Sequence, residues 1–334
     1  MKVRNPLRAL SAGALALALG VVVSSGAGAS TPRPFDWPGT HSALFVETDA
    51  SAGNSVLSYQ RSSDGTIAFA GSYLTGGLGA TAAGATADPL ASQDGLVLAN
   101  NGADLLATNP GSDTVSVFAV QGTTLRLVQQ VPSGGLFPDS LATSGRFVAV
   151  LNAGGAGSVA EFQWFNGQLF PVPGQVRGLG LSNTTPPEFH HGVGQVSYTP
   201  NGQHLIITTK LSTNAYDVFS VGFNGALGAT PVVTSAVNAL PFSFTFDAAG
   251  NVVATEASNS SVTTYRVNAN GTLTSLGTVS DGEAALPVAS EREGILTIAW
   301  GRAARVRSLR LASIRSPSTW SSRRIEKAWP IRRK

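Results

Sequence analysis

The run Val196-Ser197-Tyr198-Thr199-Pro200-Asn201-Gly202, continued by Leu205 to Thr209, Val218 to Val221 and Asn224-Gly225, decides how this chain folds. Apolar residues alternate with polar ones through its segments, the period of a strand, and the Asn-Gly pairs punctuate them as turns. Val196 to Tyr198 reads as a first strand, Leu205 to Thr209 as a second, Val218 to Val221 as a third, with a fourth after Asn224-Gly225. Asn-Gly favours the type I′ turn, which needs positive φ at both central residues, so these turns are expected in that form.

The same phrase recurs along the chain. An alternating run reaches an aromatic and then a Gly turn at Ser55 to Tyr59 with Asp64-Gly65 and at Thr114 to Phe118 with Gln121-Gly122. It returns at Ser158 to Phe162 with Asn166-Gly167, at Tyr216 to Phe219 with Asn224-Gly225, and at Ser261 to Tyr265 with Asn270-Gly271. The aromatics stand 59, 44, 57 and 46 residues apart, which is a repeat with variable loops. Four antiparallel strands per repeat make a propeller blade. The fold class is therefore read as all-β, a β-propeller of four-stranded antiparallel blades with about five recognisable; a sandwich or solenoid is the alternative.

Composition agrees, since 38 Gly and few charged residues favour short strands and tight turns. The first 29 residues have the three parts of an export signal: Lys2, Arg4 and Arg8, an apolar run from Ala9 to Val23, and a small-residue end at Ala27-Gly28-Ala29. Cleavage after Ala29 and a secreted or extracytoplasmic location are expected, with no stable membrane span afterwards; an uncleaved anchor is the alternative. With no cysteine, disulfides, thiolate metal sites and Cys nucleophiles are excluded. The net charge of +3 hides a division: residues 30–285 carry −9, and residues 286–334 carry +9. An acidic body argues against nucleic acid as a partner.

Blades are expected over residues 30–290. After Thr272 no further phrase is found, and residues 291–334 read as a basic tail, atypical or disordered, holding three of the five Trp. The abrupt change reads as a truncated or altered C-terminus, with residues from about Gly301 onward belonging to no blade. A natural tail for an acidic polymer or membrane surface is the competing reading.

The phrases Val196 to Gly202 and Tyr265-Arg266-Val267-Asn268-Ala269-Asn270-Gly271-Thr272-Leu273 resemble those of the lactonase family of seven-bladed propellers, which includes 6-phosphogluconolactonase-like and carboxymuconate-lactonising enzymes. The resemblance covers roughly His41 to Ala285. It implies a lactone hydrolase as one function; an exported scaffold that binds a small molecule or extracellular partner without catalysis is the other.

Topology places the candidates. In a four-stranded blade the loops leading into the first strand and joining the second to the third share one rim, and the Asn-Gly turns occupy the other. Glu188, His190, His191, Lys210 and Glu256 are thus expected on one rim, with Asp139 and Asn152 as further ligand-binding candidates there and His204 solvated on the opposite one. Lactone hydrolysis needs a base to activate water and a donor to stabilise the oxyanion, so His190, His191 or Glu256 with Lys210 would meet that minimum. No metal is expected, because adjacent His side chains diverge on an extended chain. No cofactor is expected either: there is no Gly-rich phosphate loop, G-x-S-x-G elbow or His-Glu zinc motif.

Overall fold

The computed structural model describes residues 41–85, 88–165, 167–280, 286–292, 295–302 and 305–311. Strands β1 (His41–Glu47), β2 (Ser55–Ser62) and β3 (Ile67–Leu74) form the first sheet, in that order. The second comprises β4 (Leu96–Ala99), β5 (Asp104–Asn109), β6 (Thr114–Gln121) and β7 (Thr124–Pro132). The third holds β8 (Pro138–Ser144), β9 (Phe147–Asn152), β10 (Ser158–Phe165) and β11 (Gln168–Gly178). In the fourth, β12 (Gln195–Tyr198) and β13 (His204–Thr208) lead through a single helical turn, α1 (Lys210–Thr213), to β14 (Ala215–Ser220) and β15 (Val232–Ser235). The fifth is β16 (Pro241–Phe246), β17 (Val252–Glu256), β18 (Ser261–Val267) and β19 (Leu273–Ser280). Each sheet is an antiparallel meander, and the first strands β4, β8, β12 and β16 pack in succession, as the innermost strands of propeller blades do.

Strands β20 (Leu286–Arg292), β21 (Ile295–Arg302) and β22 (Arg305–Leu311) form a sixth sheet, with β20 against β16 and β17, so strands continue past Gly301 into the stretch the sequence reading left outside any blade. Backbone pairing does not need the Gly-bounded apolar alternation that the sequence reading required. Residues 1–29, read above as an export signal, and residues 312–334 lie outside the described residues.

The core sits between blades, so the inner strands β5, β9, β13 and β17 are buried on both faces while the outer β7, β11, β15 and β19 are largely exposed. Leu105 and Ala107 face the first sheet, with Val56 and Phe118, while Leu106 faces the third. In the third, Val148 and Val150 pack toward the second and Ala149 and Leu151 toward the fourth. Leu205 and Ile207 continue this backward packing, and Ile206 joins Tyr216, Phe244 and Tyr265. The period of two thus feeds alternate side chains to two interfaces. The aromatics Phe118, Phe162, Phe219 and Tyr265 all pack against the preceding sheet. A register shift accompanies the aromatic at Ser58/Tyr59, Val117/Phe118, Ala160/Phe162 and Thr264/Tyr265. Such bulges raise the local twist and re-aim the side chain.

The turns at Asp64-Gly65, Asn224-Gly225 and Asn270-Gly271 join neighbouring strands, as expected, but they are not type I′. Gly65, Gly225 and Gly271 have φ of 86°, 81° and 84°, whereas Asp64, Asn224 and Asn270 are not left-handed. At Asp64-Gly65 the Gly65 N–H donates to Ser62 O at 3.0 Å, Ser62 N–H to Thr66 O at 2.9 Å, and Thr66 N–H to Asp64 Oδ1 at 2.9 Å. This is the longer loop closed by one left-handed glycine, in which the carboxylate or amide caps a backbone N–H. At Gly225 the requirement is doubled, because a Cβ would also lie 2.3 Å from the Phe147 ring. Gly225→Ala is expected to cost about 2 kcal/mol from left-handed strain and overpacking, read as a lower urea midpoint with an unchanged slope. An unaltered midpoint would contradict this account of the turn.

Among the described residues no helix is long and apolar enough to cross a membrane.

Candidate functional site

Two connections between blades are long: residues 75–95 and 179–194, against residues 133–137 and 236–240 elsewhere. They meet. Ala83 N–H donates to Pro187 O at 2.8 Å and Phe189 N–H to Ala83 O at 2.9 Å, forming a parallel bridge between Ala83 and Glu188. Further on, Gln93 N–H donates to Gly194 O at 2.8 Å, and Gln195 Nε2 to Asp94 Oδ2 at 2.8 Å. The same segment touches the start of β8, where Leu141 N–H donates to Asp94 O at 2.9 Å and Ser92 Oγ to Asp139 O at 2.6 Å. The described residues of 75–95 therefore make a strap running past the start of β8 to that of β12.

Glu188, His190 and His191 form a compact turn on this rim. One carboxylate oxygen of Glu188, Oε2, accepts the N–H groups of His190 at 2.9 Å and His191 at 3.0 Å. The ring Nδ1 of His191 contacts Oε2, and that of His190 lies 3.3 Å from Oε1. Partial burial opposes ionisation of Glu188, but the hydrogen bonds from His191 and His190 outweigh it and hold the carboxyl below its ordinary range. An ionised carboxylate fixes each Nδ1 as a donor, leaving Nε2 of a neutral ring as an available base. Both imidazoles are about half exposed.

Lys210 stands under this turn and is buried. Its Nζ donates to Phe189 O at 2.6 Å and to Ala91 O at 2.8 Å, so the ammonium is committed to two carbonyls. Burial pulls it down to about 8, against the opposing pull of Asp139, Asp88 and Glu188. Asp139 is fully buried near it, and neither carboxylate oxygen has a hydrogen-bond partner. Burial pushes that carboxyl well above its usual range, Lys210 counteracts the push and Asp88 adds to it. Asp88 accepts the N–H groups of Leu90 and Ala91 on Oδ1.

The other candidates do not join this group. Glu256 ends β17 on the expected rim but is buried, accepting Ser261 Oγ and Thr263 Oγ1 at 2.9 Å on Oε2, and Tyr265 OH at 2.9 Å and Tyr216 OH at 3.4 Å on Oε1. Such saturation by hydroxyls belongs to blade packing. Asn152 is buried too, with Nδ2 at 3.4 Å from Ser133 O and Oδ1 unpartnered. His204 is buried instead of solvated, because it opens β13 under the Thr199 turn: its N–H donates to Thr199 Oγ1 and its carbonyl accepts the Thr199 N–H. Among the described residues no group of three His, Asp or Glu side chains could hold a metal. Sequence reasoning missed Asp88 and the strap; the signal available was the length of the irregular stretch after Leu74.

Residues 80–163 match the family model described as Lactonase, 7-bladed beta-propeller. Among solved structures, the periplasmic gluconolactonase of Pseudomonas aeruginosa is 20% identical, with 82% of this chain and 83% of that one covered and a TM-score of 0.59. A protein of Bacteroides fragilis provisionally termed a 6-phosphogluconolactonase is 16% identical, covers 84% and 83%, and gives 0.56. A Lactobacillus plantarum protein is 15% identical over 82% of both chains with 0.58. At these identities the likeness is one of fold, and with the family match it bears out the resemblance of the blade phrases to lactonase-type propellers. The comparison with curated proteins finds no match.

Proposed function

We propose that this chain is an exported lactonase-type propeller that binds a ligand on its loop rim, at Glu188, His190 and His191, without using Lys210 or Glu256 as catalytic groups. The observation that carries this reading is the commitment of the Lys210 ammonium to the carbonyls of Ala91 and Phe189 beneath the rim. A cation so engaged has no free geometry toward an oxyanion, while the half-exposed imidazoles beside it remain accessible. A small molecule with both acidic and hydroxyl groups suits a face that offers ring nitrogens and a carboxylate.

One observation favours a second reading, lactone hydrolysis: the carboxylate-held Nδ1 atoms prepare Nε2 of His190 or His191 as a base toward water. Gluconolactone, which the Pseudomonas neighbour's name specifies, is the first probe. Side-chain imidazole signals should shift when it or gluconate is added, and His191→Ala should weaken binding at least tenfold. Signals that stay fixed across lactones, hydroxy acids and amines would remove the rim as a binding face. Turnover above spontaneous hydrolysis that falls a hundredfold in His191→Ala would instead establish the hydrolase.

A further inference from the structure

We propose that Lys210 is a positioning residue whose buried ammonium latches the strap of residues 75–95 to the turn bearing the imidazole pair, so that strap and turn open and close as one unit. It rests on the rim reading above only for its link to ligand; the latch itself stands on the geometry of the two connections.

Two loops distant in sequence converge on one side chain. Nζ of Lys210 bonds Ala91 in the strap and Phe189 in the turn, and it lies 5.8 Å from the centre of the Phe189 ring. That ring meets the His190 ring edge-on at 4.9 Å. The neighbouring Leu211 N–H donates to His190 O at 2.9 Å, so the segment that holds the strap also sets the histidine backbone. Gly192 closes the turn over the ammonium; a Cβ there would lie 3.3 Å from Nζ. Lys210 is the one lysine among the described residues.

Opposing costs act on this element. Lys210, Ala91 and Asp94 hold φ of 41°, 55° and 64°, a conformation that side chains other than glycine resist. Closure also leaves Asp139 buried with both carboxylate oxygens unpartnered, and an Asp49 oxygen likewise, so water would favour opening. Against these stand the bonds of Lys210 to the two carbonyls and the Ala83–Glu188 bridge. Removing the ammonium takes away the contact shared by both loops.

The test measures amide exchange site by site on the full chain. In Lys210→Met, which keeps most of the aliphatic stem, the Ala83, Phe189 and Gln93 amides should exchange at least tenfold faster while those of Leu151 and Phe219 stay unchanged. An equal acceleration at all five would assign Lys210 to global stability and overturn the latch. Should that variant fail to fold, amine labelling of the wild-type protein decides. Lys210 should react at least a hundredfold more slowly than in the denatured chain, yet faster than the Leu151 amide opens. Labelling only at the rate of global opening, or as fast as in the denatured chain, would equally overturn it. Both readouts need no ligand, so a silent binding titration with selective loop exchange would sink the rim reading and leave the latch intact.

Discussion

Glu256→Ala is expected to destabilise the protein by about 4 kcal/mol, the cost of stranding several buried hydroxyls that had donated to one carboxylate. Tyr265 and Ser261 lose their acceptor outright, Tyr216 loses its contact from the neighbouring blade, and Thr263 falls back on Thr278 at 2.9 Å. Glu256→Gln keeps one carbonyl oxygen in place and should cost about half as much. Urea unfolding of both variants checks this, together with the rim titration, whose affinity should not move. A loss below about 1 kcal/mol in the alanine variant would mean that water replaces the carboxylate. A selective loss of ligand affinity would return Glu256 to the site.

The second large effect is a dependence of stability on pH that runs through Glu161. Its carboxyl, on β10 of the third blade, meets Tyr198 OH from β12 of the fourth at 2.7 and 2.8 Å. Burial pushes it from 4.5 up to about 8, with the Tyr198 hydrogen bond opposing the shift. A protonated acid explains the paired distances: tyrosine donates to one oxygen and accepts from the other. Because the folded value lies above the unfolded one, this contribution is complete below about 4.5 and is lost as pH rises through the folded value near 8. The full loss is about 5 kcal/mol, and the part that falls between pH 5 and pH 8.5 is about 4 kcal/mol. Glu161→Gln, which cannot ionise, should flatten the difference in unfolding free energy between pH 5 and pH 8.5 by that amount. Parallel curves for the variant and the wild-type protein would show that Glu161 is ionised in the folded state throughout. Asp217 and Asp49, each raised to about 6 by burial, give the wild-type curve a further slope that the comparison cancels.

How much of the site was legible differs by residue. Lys210 and Glu188 were placed on one rim by strand order, and the structure brings them together, since topology alone dictates which strand ends share a side. The same argument put Glu256 there correctly but could not tell a site carboxylate from a packing one. Its burial beside Tyr216 of the adjacent blade is a tertiary contact, and no local pattern encodes which tyrosine arrives. The turn type failed at Asp64-Gly65, Asn224-Gly225 and Asn270-Gly271 because these dipeptides permit type I′ without requiring it, and only the glycine is left-handed there, within a longer loop.

What the sequence by itself determined is the blade: a period of two on both faces, an aromatic on the third strand, and a glycine where φ must be positive. Those are local requirements of one strand against its neighbours, so they repeat wherever a blade repeats. What only the tertiary structure decided is the joining of residues 75–95 to residues 179–194 through Lys210, and the burial of Asp139, Glu161 and Glu256 between or beneath blades. Those depend on which loops and faces meet around the ring, and a charged residue at a strand end carries the same sequence signature whether water or another blade covers it.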